Sequence, residues 1–231
     1  MPKPTKAYIL KIDTPISKEY SEICAESCKN INLECEFFNG YTNQTGASAL
    51  GQTGIKNVPS EPYAHIENIS PGHKAMCCTA GHFSIWKIIA EGPDDAAVVL
   101  EHDAIMLHQL EIDIPDGVIV VLGYKVIDPS RYDHKSAGPP TELIAIPGHE
   151  GAHAYAMTKK TAQFLIKEIE HQGINSAVDN DYFIMRQRRT AVPLAIASPT
   201  PALGWLREST IWSSSADQNY EFITTFKENY K

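Results

Sequence analysis

Apolar positions recur along the chain in two periods, and the alternation between them sketches the architecture. "AYILKID" (7–13) is rich in β-formers and lies between Pro4 and Pro15, which predicts a first strand. "ISKEYSEICAESCKN" follows with Ile16, Tyr20, Ile23, Cys24 and Cys28 at helical spacing. "LECEFFNGY" predicts a second strand ending in an Asn-Gly turn, and residues 41–71 show no sustained period. A loop of that length is functional or disordered, and Tyr41 to Ser60 is placed to cover a ligand beside the first βα unit. From Lys74, "AMCCTAGHFSIWKIIAEG" predicts a helix with Ile85, Ile88 and Ile89 on its apolar face and Gly92 at its end. "DDAAVVLEHD" then predicts a short apolar strand of the kind found in the middle of a parallel sheet.

Three further strands are predicted at "GVIVVLGY" (117–124), "TELIAIPG" (141–148) and "AHAYAMT" (152–158). The clearest helix is "TKKTAQFLIKEIEHQG": Thr158 can cap it, Ala162, Leu165, Ile166 and Ile169 line one face, and Gly173 closes it. A short helix after Asp179 and a strand at "AVPLAIASP" (191–199) come next, then a polar tail from residue 213 that reads as helical or disordered. No internal repeat is found. Strands alternating with helices from the first βαβ onward imply an α/β fold, a mostly parallel central sheet with helices on both faces. In such sheets ligands bind beyond the carboxyl ends of the strands.

Composition narrows the function classes. The 231 residues suit one large α/β domain or two small ones. A net charge of −8 argues against nucleic acid as a partner, because phosphate neutralisation needs clustered Lys and Arg. The one basic cluster, Arg186, Arg188 and Arg189, reads as a solvated helix end. No apolar run approaches the ~18 residues of a transmembrane segment, and "MPKPTKAYILKID" lacks the features of a signal peptide, so the expected location is cytoplasmic. Five cysteines without a CxxC pair or a zinc-ligand spacing read as small buried hydrophobes rather than a disulfide framework or a zinc site.

The strand at 96–100 runs directly into Glu101, His102 and Asp103. Alternation lets the two carboxylates face one side and His102 the other. Two ionised carboxylates in a partly buried crevice repel each other unless a cation accompanies them. Mg2+ or Mn2+ takes one or two carboxylates and leaves its remaining positions to water and substrate phosphates, so the pair points to a nucleoside diphosphate. The plainer reading is that the strand ends there and its polar residues meet solvent.

The company of the tripeptide bears on that choice. Cys78, His82 and Trp86 precede it, and "GAHAY" (151–155) and Val178-Asp179 follow. In this order the segments resemble glycosyltransferase family 25, whose pattern is Cys, Ser-His, Trp, a strand ending in Glu-Asp-Asp, Gly-Thr-His-Ala-Tyr before a helix, and Val-Asp. The resemblance covers roughly residues 75–185, with weaker likeness at the first strand and at "RESTIW" (207–212). Four positions depart from the pattern: His102 replaces the middle carboxylate, Gly81 the Ser before His82, Ala152 the Thr, and Lys11 an Asn of the first strand.

The resemblance implies one GT-A-like domain over 1–231, with a nucleotide-sugar-binding half at about 1–105, an acceptor-binding half at about 106–212 and a tail at 213–231. It implies a metal-dependent inverting glycosyltransferase that moves a hexose, galactose by analogy, from a UDP-sugar to a glycan or other hydroxyl acceptor. Asp103 and Glu101 would be the metal ligands, with Mn2+ or Mg2+ as cofactor, and Glu101 could also contact the donor. Asp179, with Asp181 as neighbour, would be the base that takes the acceptor's proton; the bland alternative is that "DND" caps a helix. His82 and His153 are candidates for substrate contact or for internal hydrogen bonds, Trp86 reads as core, and His149 and His134 as solvated. The rival readings are a non-catalytic sugar- or nucleotide-binding protein that retains the fold, and a metal-dependent phosphohydrolase or nucleotidyltransferase.

Overall fold

The structure, a computed structural model, describes residues 1–56, 72–125, 137–149, 151–174, 177–184 and 188–204, with no side-chain description at 72, 73, 124 and 125. His134, Arg186, "RESTIW" and the tail after Ser213 lie outside the described residues.

The elements follow in the order β1 (Lys6–Lys11), α1 (Pro15–Asn30), β2 (Glu34–Asn39), α2 (Gly46–Gln52), α3 (Gly72–Glu91), β3 (Ala96–Glu101) and β4 (Ala104–Met106). Then come β5 (Ile119–Val121), β6 (Gly123–Lys125), β7 (Glu142–Ile146), β8 (Ala154–Thr158), α4 (Lys159–Gln172), α5 (Val178–Tyr182), β9 (Leu194–Ser198) and β10 (Ala202–Gly204). Local chemistry sets several boundaries. Thr14 accepts a hydrogen bond from Ser17 N while Pro15 occupies the first turn of α1, where its missing N–H costs nothing. Thr158 caps α4 by accepting from Thr161 N, and Gly173 ends it at φ 66°, a conformation that favours glycine.

A seven-stranded sheet runs in the order β2-β1-β3-β8-β5-β9-β7. Strands β2, β1, β3, β5 and β9 share one direction, and β8 and β7 oppose them. The sheet is therefore mostly parallel, as expected. Alternate residues of its central strands feed two cores. Tyr8, Leu10, Ala97, Val99, Tyr155 and Met157 pack with α2, α3, α4 and α5 on one face. Ala7, Ile9, Val98, Leu100 and Ala156 pack with Cys24 and Cys28 of α1 and with Leu110 and Ile114 on the other. With helices over both faces, these strands can be apolar throughout.

The structure departs from the sequence-based expectation in three places. The stretch without a period contains α2, capped by Thr45 and burying Ala49 and Leu50 against α3. Its composition, "GASALGQ", carries too few large apolar residues to show a period. The strand expected at 117–124 divides at Leu122, whose N–H bonds Ala154 O in the main sheet while its carbonyl accepts from Ala202 N. Beyond it, β6 belongs to a second sheet, β4-β10-β6, whose three-residue strands are too short to read from a pattern. Finally, Arg188 is not solvated as a helix end: its guanidinium donates to the carbonyls of Pro147 and Val192.

Gly123 is required at the junction of the sheets, because a Cβ there would fall on the carbonyl of Ala202. Gly123→Ala is expected to destabilise the fold by roughly 1–3 kcal/mol through overpacking against a backbone that cannot rotate away. Urea unfolding measures it, and an unchanged midpoint would refute the close approach.

Candidate active site

The site forms where β3 ends, beside the start of β8 and above one face of α3. Glu101 is the last residue of β3, and its backbone N–H bonds His153 O at 2.8 Å, which seats the residue before β8 next to it. On α3, Cys78, His82 and Trp86 recur at four-residue spacing and so share a face.

A continuous hydrogen-bonded chain joins these elements. Trp86 Nε1 donates to the Tyr155 hydroxyl at 2.7 Å, the hydroxyl pairs with His82 Nδ1 at 2.8 Å, and His82 Nε2 pairs with Glu101 Oε1 at 3.2 Å. The carboxylate orders it: an ionised Glu101 can only accept, so His82 Nε2–H donates to it, and the neutral ring accepts at Nδ1 from the Tyr155 hydroxyl, whose oxygen accepts from the Trp86 indole. The other carboxylate oxygen, Oε2, lies 3.1 Å from His153 Nδ1, which is also 3.8 Å from Asp103 Oδ1. Distance is right there but alignment is not: Asp103 Oδ1 and both ring nitrogens of His153 are buried without a hydrogen-bond partner among the described residues.

Burial resists the charge on Glu101, and the two histidines outweigh it, holding its carboxyl well below the usual carboxylate range. Burial also opposes a protonated His153, but Asp103 and Glu101 overcome it and raise the imidazole to about 10. Burial and then the charge of Glu101 push the Asp179 carboxyl up. The Cys78 thiol is raised well above its ordinary value by burial, then by Glu101, Asp179 and Asp103. These acids therefore act on one small volume.

Of the residues singled out in the sequence, Glu101, Asp103, His82 and His153 meet directly, and Asp179 stands within the field of Glu101. His82 is 0% exposed, with Nδ1 paired with Tyr155 and Nε2 with Glu101. Trp86 is core, packed against the rings of Phe83 and Tyr182. Asp181 faces away from the cluster, into a shallow pocket with Glu168, Gln172, Arg189 and Thr190, because residues two apart on a helix lie on nearly opposite sides.

The capping alternative for "DND" holds in part, since Asp179 Oδ1 accepts from Asn180 N–H at 3.0 Å in the first turn of α5, although Asp179 is not the N-cap residue. The N-cap is Ala177, and the first N–H, that of Val178, is satisfied by Thr79 Oγ1 from α3 at 2.9 Å. His102 turns to the other side of the sheet, stacked on Tyr20 of α1 with centroids 6.1 Å apart. His149 is half-buried rather than solvated: its backbone N–H bonds Phe183 O at the end of α5, and its ring Nδ1 lies 3.3 Å from Gly151 O. Lys11 sets its ammonium 4.3 Å from the centroid of the Phe37 ring.

Sequence patterns assign no role to Thr79, Tyr155, Gly151 or Gly204. A Cβ at Gly204 would lie 2.6 Å from His153 Cδ2, and one at Gly151 would also strike that ring, so the two glycines make the slot that holds it. Gly151 at least opens the "GAHAY" segment, but Gly204 is distant in the chain and carries no signal.

Among the described residues, two groups of side chains offer three ligand atoms within 4.8 Å of one another: Glu101, Asp103 and His153, and Cys78, His82 and Glu101. The first is rich in oxygen and suits Mg2+ or Mn2+. Its unpartnered Asp103 oxygen is what a bound cation would satisfy, and His153 would join as a ligand through one ring nitrogen on losing its proton.

The chain is similar to known proteins in part of its length by family and in most of it by shape. The description "Glycosyltransferase family 25 (LPS biosynthesis protein)" matches residues 6–116. The match upholds the resemblance to glycosyltransferase family 25 over those residues. The match supports glycosyl transfer, and it begins and ends earlier than the motif set, holding His82, Glu101 and Asp103 but not His153 or Asp179. No curated protein matches the chain. Among solved structures, the galactosyltransferase LgtC in complex with donor and acceptor sugar analogs is 12% identical over 95% of this chain and 95% of its own, at TM-score 0.47. The glycosyltransferase GlyE of Streptococcus pneumoniae TIGR4 is 10% identical over 96% of this chain and 60% of its own, at 0.45. The inositol-1-phosphate CTP transferase of T. maritima is 10% identical over 100% and 99%, at 0.46. Likenesses this distant decide nothing about the chemistry of the site.

The His153–Glu101 pair predicts a pH signature in metal-free buffer. A histidine raised from 6.5 to about 10 contributes stability that is complete below its unfolded value and lost as pH rises through about 10. Glu101, being depressed, sets the acid limit: its contribution holds above the ordinary carboxylate value and is lost on falling through the folded one. The unfolding free-energy difference between wild type and His153→Gln should therefore be larger near pH 6 than above about pH 10. Urea titrations at both values test it, and a difference that does not shrink would overturn the pairing.

Proposed function

We propose that the protein is a metal-dependent, inverting glycosyltransferase that moves a hexose, galactose in our reading, from a UDP-sugar to a hydroxyl of a glycan or other acceptor. The observation that carries this reading is the convergence of Glu101, Asp103 and His153 at the carboxyl end of β3, the first two within the segment that matches the family. Glu101 and Asp103 would hold Mn2+ or Mg2+ with His153 beside them. When bound, such an ion supplies Lewis-acid stabilisation of charge on the departing diphosphate.

The chain's own residues account for the rest. The relay from Trp86 through Tyr155 and His82 keeps one oxygen of Glu101 occupied and the carboxylate ionised, so its orientation toward the donor is fixed before substrate arrives. The acceptor oxygen attacks the anomeric carbon, the bond from that carbon to the diphosphate breaks, and UDP leaves with the bonding electrons. Asp179 takes the proton of the acceptor hydroxyl. Its raised carboxyl suits that task, since a stronger base shares the proton earlier in the reaction. In this reading residues of about 1–105 hold the nucleotide sugar and those of about 106–212 the acceptor, in the cytoplasm. His102 lends no support to a catalytically silent protein: stacked on Tyr20, it leaves the carboxylate face intact.

Two substitutions test the roles. Asp103→Asn is expected to abolish Mn2+-dependent UDP-sugar binding in calorimetry, and unchanged affinity would remove it as a ligand. Asp179→Asn should keep that affinity within a few-fold and lower transfer by about 100-fold or more, the usual worth of a general base. Normal turnover would exclude it.

A further inference from the structure

We infer that Cys78, His82 and Glu101 form a second cation site, for one thiophilic divalent ion such as Zn2+, which draws on the Glu101 carboxylate that also faces Asp103 and His153 and so weakens an ion held by them. Binding of zinc there stands apart from the proposed transfer reaction; only the weakened hold on the activating ion rests on that reading.

The ligand atoms are already near their places. Cys78 Sγ, a ring nitrogen of His82 and an oxygen of Glu101 lie within 4.8 Å of one another. In a tetrahedral zinc site, nitrogen and oxygen ligands at about 2.0–2.1 Å from the ion stand about 3.3 Å apart, and nitrogen and sulfur about 3.6 Å. His82 Nε2 and Glu101 Oε1 are 3.2 Å apart, close to the separation of two ligand atoms on one tetrahedral ion lying to the side of the line that joins them. Cys78 and His82 sit one turn apart on a rigid helix, and His82 is fixed from behind by Tyr155. The donor set is the second argument. Sulfur, imidazole and one carboxylate select zinc, whereas the neighbouring group of two carboxylates and one imidazole selects harder ions. Charge is the third, since Glu101, Asp179 and Asp103 all make the potential at Cys78 negative.

Protons balance. Zinc displaces the Cys78 thiol proton to solvent, and the Nε2 proton of His82 moves to Nδ1. The Tyr155 oxygen has two lone pairs and can accept from Nδ1–H as well as from Trp86. One proton is released per ion, so affinity rises with pH.

The test is titration of the full chain with Co2+ and no sugar nucleotide. Thiolate ligation gives a charge-transfer absorption in the near ultraviolet, expected to saturate at one equivalent and to be bleached by Zn2+. It should vanish in Cys78→Ser and Cys78→Ala and persist in Cys35→Ser and Asp103→Asn. Absence of the band in the wild type, or its survival in both Cys78 variants, overturns the site. Should circular dichroism show that neither Cys78 variant folds, X-ray absorption of the wild-type zinc complex decides: one sulfur at about 2.3 Å from the ion is expected, and a shell of nitrogen and oxygen alone refutes the proposal. Electron paramagnetic resonance tests the shared ligand. Zn2+ should weaken Mn2+ binding to the wild type several-fold and leave that to Cys78→Ala unchanged, and an unchanged Mn2+ affinity in the zinc-loaded wild type would overturn the sharing. Failure of Mn2+ to bind at all would count against the proposed function and leave the cobalt result standing.

Discussion

A carboxylate at the end of a central strand, most of its surface removed from water, has to be kept ionised by its surroundings. Glu101 is that group. Desolvation alone would protonate it, and removing a partner from a buried pair commonly costs about 3–5 kcal/mol. One oxygen is therefore held by His82 and the other by His153, from α3 below and from the segment before β8 beside it. The rest of the arrangement comes from supplying those two imidazoles. His82 needs its tautomer fixed, which Tyr155 does, and Tyr155 is in turn fixed by the indole of Trp86. His153 needs a slot for its ring, which Gly151 and Gly204 leave open.

The sheet makes this possible because β8 runs against its neighbours. An antiparallel strand brings its amino end, with His153 and Tyr155, to the carboxyl end of β3, where Glu101 is. A parallel strand in the same place would begin at the opposite edge. The same reversal leaves β5 and β9 to carry the sheet onward and lets Leu122 hand the chain from the large sheet to the small one.

The two ligand groups around Glu101 differ in softness, and one residue belongs to both. Such sharing ties metal preference to the hydrogen-bond relay: whatever links His82 to Glu101, a proton or an ion, determines how much of the carboxylate is left for Asp103 and His153. Tyr155 permits either state because its hydroxyl can donate or accept.

Much of this was legible in residue order. The apolar run at 96–100 ending in acids, the three side chains one turn apart at 78, 82 and 86, and the capped helix from Thr158 to Gly173 each carry a local period or cap, and all appear where the sequence puts them. The carboxylate pair and its histidines could be nominated because those residue types have few cheaper uses in a buried strand end. What the chain could not announce are matters of direction and distance. Strand polarity leaves no mark on side-chain alternation, so β8 reads the same either way. Three-residue strands and the glycine-rich α2 are too short to show a period. The family pattern prefers Asp179 to its neighbour Asp181, but that the two stand in different surroundings follows from the turn of α5 about its axis. Sequence spacing measures contacts along an element, whereas Thr79 with Val178, Tyr155 with His82, and Gly204 with His153 meet across elements, and only the packed fold brings such pairs together.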